Sequence, residues 1–290
     1  MQRFSIVTFF IISYCLISSC SSLHHKTSHI VVPGVWQTQP IAIDGDSKDW
    51  PSPYPNYDAK AKIAYATSND KDFLYITMET GDEMTQMKIL KQGMTVSIDT
   101  GGGRAASFNI SYPLQGDIDL ADLPRGEGGK NKDNMHYEDK QREQRLAVYA
   151  KEANQFATDG FINCNGAYVV KQATPCGISV RLGLDEYKQL VWEAAIPFKA
   201  IYNKPVISAA DAGKTVSVCF AIKGFKKPDN KNSDDHGGMN NGAGATGSNS
   251  QMRGGGRGGG RPSIRQTDNP MDHLYESTKT WKTFGITWQQ

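Results

Sequence analysis

The chain has 290 residues, enough for one large domain or two small ones. Its 32 Lys+Arg against 30 Asp+Glu leave a formal charge of +2, which argues against the concentrated basic face of a nucleic-acid binder. The five cysteines show no spacing that resembles a zinc site.

The first 22 residues, "MQRFSIVTFFIISYCLISSCSS", carry one early charge, Arg3. An apolar run from Ile6 to Ile17, interrupted by Ser13, leads to small residues and a cysteine. That layout is a secretory signal, and the run is too short to span a bilayer, which needs about 20 residues. Ile17-Ser18-Ser19-Cys20 resembles the lipobox of bacterial lipoproteins. The resemblance implies that residues 1–19 are a signal peptide and that Cys20 is lipidated and becomes the first mature residue. Acyl chains there would hold the protein on a membrane, each buried methylene adding about 0.8 kcal/mol. "SSLHHK" follows Cys20 without the acidic residues that mark surface export in some lipoproteins. The expected address is therefore the cell envelope, with the outer membrane facing the periplasm favoured over the surface. Residues 20–35 read as a tether, and His24, His25 and His29 as solvated parts of it.

From Trp36 onward, a single domain is expected. Short runs alternate apolar and polar residues with period two, as half-buried strands do. Ile63 and Tyr65 share a face, as do Leu74, Ile76 and Met78, then Met94, Val96 and Ile98, then Phe108, Ile110 and Tyr112. Later come Leu190, Trp192, Ala194 and Ile196 opposite Val191, Glu193 and Ala195, then Val216, Val218, Phe220 and Ile222. Phe284, Ile286 and Trp288 alternate at the end of the chain. Gly, Asn, Asp and Pro clusters separate these runs. Such a pattern predicts packed antiparallel sheets. Between Asp133 and Gln155 a short charged helix is expected, running into a strand at Leu146 to Ala150. Cys164 and Cys176 flank turn signals and are the candidate disulfide of an oxidising compartment; Cys219 reads as a strand residue. Residues 228–270 have almost no large apolar side chains, so a long disordered insert between two strands is expected there. Within it, "MRGGGRGGGRP" is similar to RGG-type tails, but it lacks the interleaved aromatics on which bases stack. No nucleic-acid partner is expected; the stretch reads as a solvated spacer, the alternative being contact of the clustered Arg253, Arg257, Arg261 and Arg265 with anionic lipid headgroups or acidic glycan.

At "IAIDGDSKDWP" the chain begins to resemble the family 9 carbohydrate-binding modules. Their "IDG…W" opening is matched by Ile43-Asp44-Gly45 and Trp50, and their "LY" strand by Leu74 and Tyr75 with Asp82 beyond. A strand ending at Asp99 follows, then "WEAAIP", Trp192 to Pro197, with Trp where Tyr is commoner. The resemblance implies an all-β, jelly-roll-like, two-sheet antiparallel β-sandwich. Read from the residues alone, Asp44-Gly45 is a turn and Trp50 caps one end of the core. Sugar binding in that family relies on aromatics presented outside the core, which match the apolar face of a pyranose. The loop aromatics that qualify by position are Trp36, Tyr54, Tyr57 and Trp281. Some family members bind calcium; the acid pairs Asp70/Asp72 and Asp117/Asp119 read as turns, and no run matches a calcium loop.

The expected function is a lipid-anchored extracytoplasmic binding module, carbohydrate-binding and non-catalytic. The alternative is an envelope scaffold or protein-interaction lipoprotein without a small-molecule ligand. No "GxSxG" or "HExxH" occurs, so no enzyme is expected. No cofactor is expected either, structural calcium apart. Related sandwiches that hold haem draw attention to Met78, Met84, Met87 and His136, yet Met78 alternates into a strand core.

Overall fold

In a computed structural model, residues 30–114, 144–227 and 272–289 are described. Cys20, the three tether histidines, His136, Asp117, Asp119 and the 228–270 insert lie outside them. The larger sheet holds seven strands in the order β1 (Val31–Val32), β12 (Thr278–Gly285), β11 (Thr215–Ile222), β5 (Met94–Asp99), β6 (Phe108–Tyr112), β7 (Gln155–Phe161) and β8 (Cys164–Val169). The smaller sheet holds five, in the order β2 (Asn56–Asp58), β3 (Ile63–Asn69), β4 (Phe73–Thr80), β10 (Leu190–Pro197) and β9 (Ser179–Leu184). The pairs are antiparallel except the edge pair β1–β12. The protein is an all-β sandwich.

The alternating runs explain the two layers. Ile63, Tyr65, Ile76, Met78, Trp192 and Ile196 point inward from the smaller sheet and meet Val96, Ile98, Ile110, Val218 and Phe220 from the larger one. Tyr65 and Phe220 touch across the gap with ring centroids 5.1 Å apart. A second, smaller core lies on the other side of the smaller sheet. Ile41, Trp50 and Tyr54, from a strap ahead of β2, pack on Ala66, Tyr75 and Ala195. Trp50 therefore covers a sheet face and does not cap an end of the main core, because the strap runs across the sheet. Fully burying such side chains stabilises by about 1.5–3 kcal/mol each.

Three departures from the sequence expectations have local causes. Residues 144–152 are helical (α2), so Leu146 to Ala150 is not a strand. Leu146, Tyr149, Ala150 and Ala153 face the core at helical spacing, and Val148 is exposed. Helix α1 (Glu83–Gln92) carries the chain from β4 to β5; Asp82 caps its start by accepting from Thr85 N, and Gly93 ends it at φ 74°. The last strand begins at Thr278 and stops at Gly285, ahead of the expected run. Two further short helices are α3 (Phe198–Tyr202) and α4 (Asp272–Tyr275), so the single helical excursion expected becomes four α-helices among the described residues, with two 3-10 turns besides, Ser47–Asp49 and Ala209–Asp211. Cys164 and Cys176 are joined by a disulfide, 12 residues apart with Cα atoms at 5.6 Å. Cys219 is free and buried. Among the described residues, no helix is long and apolar enough to cross a membrane.

Candidate functional site

The outward face of the smaller sheet is split into a covered half and an open half. The covered half centres on Glu193, which β10 places outward between Trp192 and Ala194. Its Oε2 accepts from the backbone N–H of Gly45 at 2.7 Å and of Asp44 at 3.1 Å, and its Oε1 from the Trp50 indole at 2.6 Å. The three motif fragments "IDG", "W" and "WEAAIP" thus meet at one carboxylate, almost 150 positions apart in sequence. Gly45 is a glycine for two reasons: its φ is 87°, and a Cβ there would sit 2.8 Å from Gly183 N in the neighbouring strand. Burial pushes the Glu193 carboxyl up to about 7, partly opposed by the donors from Gly45 and Trp50.

The open half is a cleft of about 350 Å³ lined by Tyr57, Lys62, Ala64, Glu79, Thr80, Gly81, Asp82 and Gln189. Strand register builds it. Tyr57 of β2 is paired with Ala64 of β3, and Ala64 with Glu79 of β4. Two strand spacings, about 10 Å, therefore separate the tyrosine backbone from the glutamate backbone. The small Ala64 between them leaves the floor open. Tyr57 is 66 % exposed and stands as one wall.

The opposite wall is held from below. Asp185 Oδ1 accepts from Tyr187 N and Gln189 N, which fixes the β9–β10 turn. The buried Gln86 amide of α1 donates to both Thr80 O and Lys188 O, each at 2.9 Å, tying that turn to the end of β4. Lys62 sits at φ 54°, a left-handed conformation that is uncommon for a residue with a side chain. Its ammonium meets Asp82 at 2.7 Å. Burial raises the Asp82 carboxyl, but the Lys62 and Thr85 donors outweigh it and leave the group below its ordinary range. Among the described residues none hydrogen-bonds or ion-pairs with Glu79; Lys62, in the same cleft, is paired with Asp82. Burial, then the Asp185 carboxylate, pushes it above its ordinary range.

The four aromatics singled out by sequence part company here. Tyr57 lines the cleft. Tyr54 is buried between its own strap and the sheet, its hydroxyl 3.1 Å from Thr77 Oγ1. Trp36 packs edge-to-face on Trp288 at 5.5 Å. Trp281 is mid-strand in β12, paired with Cys219, and not in a loop. Tyr187, 75 % exposed on the β9–β10 turn, had no strand or motif to mark it. Asp70 is a turn acid, accepting from Asp72 N, Phe73 N and the Tyr75 hydroxyl. Met78 and Met87 are buried in the main core and Met84 packs against it.

No family model matches the chain, and no curated protein matches it. Among solved structures it is similar to a family 9 carbohydrate-binding module from Caldicellulosiruptor kristjanssonii in complex with cellotriose. That likeness has 14 % identity and a TM-score of 0.28, covering 66 % of this chain and 75 % of the other. At that level it assigns no residue a role.

Proposed function

We propose that the protein is a non-catalytic glycan-binding module of the cell envelope, anchored by lipid on Cys20 and facing the periplasm from the outer membrane. The observation that carries the binding reading is the exposed Tyr57 across Ala64 from Glu79 and Gln189, in a cleft of about 350 Å³. An aromatic face supplies the apolar platform for a pyranose, and the acceptor and amide groups fix its orientation. The non-catalytic part rests on the carboxylates. Glycoside hydrolysis needs two working carboxyl groups, and of the two in the cleft Asp82 is already committed to Lys62 and to capping α1. The anchor rests on Arg3, the apolar run and Ile17-Ser18-Ser19-Cys20.

Titration calorimetry against soluble oligosaccharides tests the first part. Saturable binding at millimolar affinity or better is expected, lost at least about tenfold in Tyr57→Ala with folding unchanged. No saturable binding to any oligosaccharide would sink it. For the anchor, Cys20→Ala should leave the membrane fraction and lose lipid labelling; retention of both would refute it.

A second reading, an envelope scaffold that docks another protein, is favoured by one observation. Ile30, 82 % exposed, leads into exposed Val31 of β1, which among the described residues is an edge strand of the larger sheet, where an edge strand can pair with another chain. It predicts protein partners that co-purify with the native chain and are lost in Val31→Lys.

A further inference from the structure

The charges inside the cleft say which glycans it can hold. Its lining carries one cation, Lys62, and two carboxylates, Glu79 and Asp82. Lys62 and Asp82 cancel at 2.7 Å, and Asp82 is further occupied by Thr85 N at 3.0 Å and Thr85 Oγ1 at 2.9 Å. What remains is Glu79, half-buried on β4, accepting nothing among the described residues. Asp185, whose charge reaches Glu79, adds to the negative field from behind the wall. A half-buried carboxylate without donors is an open acceptor, and desolvating it further under a ligand is costly unless the ligand donates.

We infer that the cleft is selective by charge. It takes neutral sugars whose hydroxyls donate to Glu79 while the ring lies on Tyr57, and it rejects sugars that carry carboxylates. The inference rests on the glycan reading and adds to it the class of sugar. The physical basis is like-charge exclusion: a uronate seated over Ala64 would place a second carboxylate beside Glu79, with Lys62 already neutralised. At close range and reduced dielectric such a contact costs enough to weaken binding by about tenfold or more.

The test compares neutral oligosaccharides with oligogalacturonates of equal length, by calorimetry at low and moderate salt, on the full chain and two variants. The native protein should bind a neutral oligosaccharide and hold the uronate at least about tenfold more weakly. Glu79→Gln should narrow that gap to within about threefold, chiefly by admitting the uronate, since the carboxamide keeps an acceptor and drops the charge. Glu79→Lys should reverse the preference. Binding that ignores sugar charge, or a gap that neither variant moves, overturns the inference while leaving the glycan reading intact. Failure of both sugar sets to bind, with circular dichroism unchanged, removes the glycan reading and the inference with it.

Discussion

Glu193 and Glu79 lie on one face of one sheet, in neighbouring strands, and have opposite surroundings. Glu193 pairs in register with Thr77, two residues from Glu79, while Glu79 pairs with Val191, two residues from Glu193. Both are half of an alternating pattern, polar positions opposite an apolar row. Burial raises both. Glu193 is fully buried and receives three donors from the strap. Glu79 is half-buried and receives none among the described residues. The difference teaches that a carboxylate in a strand becomes structural when another segment brings donors to it, and stays without them when that segment stops short. The strap covers Ala66, Tyr75 and Ala195, and Tyr57 lies just beyond it, across Ala64 from Glu79.

The largest expected effect separates the two directly. Glu193→Ala leaves two backbone N–H groups and an indole N–H without their acceptor and opens a hole in the second core. Urea unfolding should show a loss of about 3–5 kcal/mol. Glu79→Ala should change stability by no more than about 0.5 kcal/mol. Equal losses in the two would collapse the distinction.

Titration sharpens it next. The Glu193 carboxyl moves from an ordinary 4.5 to about 7 on folding. Between those values the folded chain holds a proton that the unfolded chain has lost, so stability should fall as pH rises through this window. The contribution is full below about 4.5 and gone above about 7, amounting to about 3 kcal/mol at most. Glu193→Gln should flatten that slope. If its stability follows pH as the native protein's does, the slope belongs to other groups.

Trp50→Phe comes third. It keeps most of the ring that packs with Ile41 and Tyr54 but removes the donor at 2.6 Å. Measured at about pH 8 or above, where the Glu193 carboxyl is ionised, a charge-assisted bond of this kind contributes about 1.5–3 kcal/mol. A loss below about 0.5 kcal/mol would mean that the two backbone donors suffice and that the indole is there for packing alone.

Much of the scaffold was legible in sequence, and the site was only partly so. Alternation placed Ile63, Ile76, Met78, Trp192 and Val218 inward because each strand has one apolar side. It marked Glu193 as outward, yet gave no sign that Gly45 and Trp50 would converge on it, because that contact depends on a strap folding back nearly 150 positions away. Helix α1 had its start and stop signals in Asp82 and Gly93, but the run between them, "MTQMKILKQ", resembles a strand run as much as a helix. At Leu146 to Ala150 periods two and 3.6 agree on Leu146 and Ala150 and differ on Val148, and packing chose the helix. Tyr54 and Tyr57 stand three residues apart in the same Pro-rich stretch. Only the point where the strap ends and β2 begins decides that one is buried and the other bare. The cleft itself depends on Ala64 falling between Tyr57 and Glu79 in register, which a linear reading does not contain.

The smallest expected effect is on the open side, and it tests whether Glu79 is spare. A residue kept for stability loses stability when it is changed to its isostere. One kept for a ligand does not. Glu79→Gln preserves shape and acceptor, removes a charge that burial and Asp185 both disfavour, and breaks no bond among the described residues. Because the group is only half-buried, solvent screens most of the relief. The variant should therefore be as stable as the native chain or more stable, by less than about 0.5 kcal/mol, with the gain shrinking in high salt. A clear loss of stability would show that Glu79 has a structural partner outside the described residues. The two glutamates would then differ only in degree.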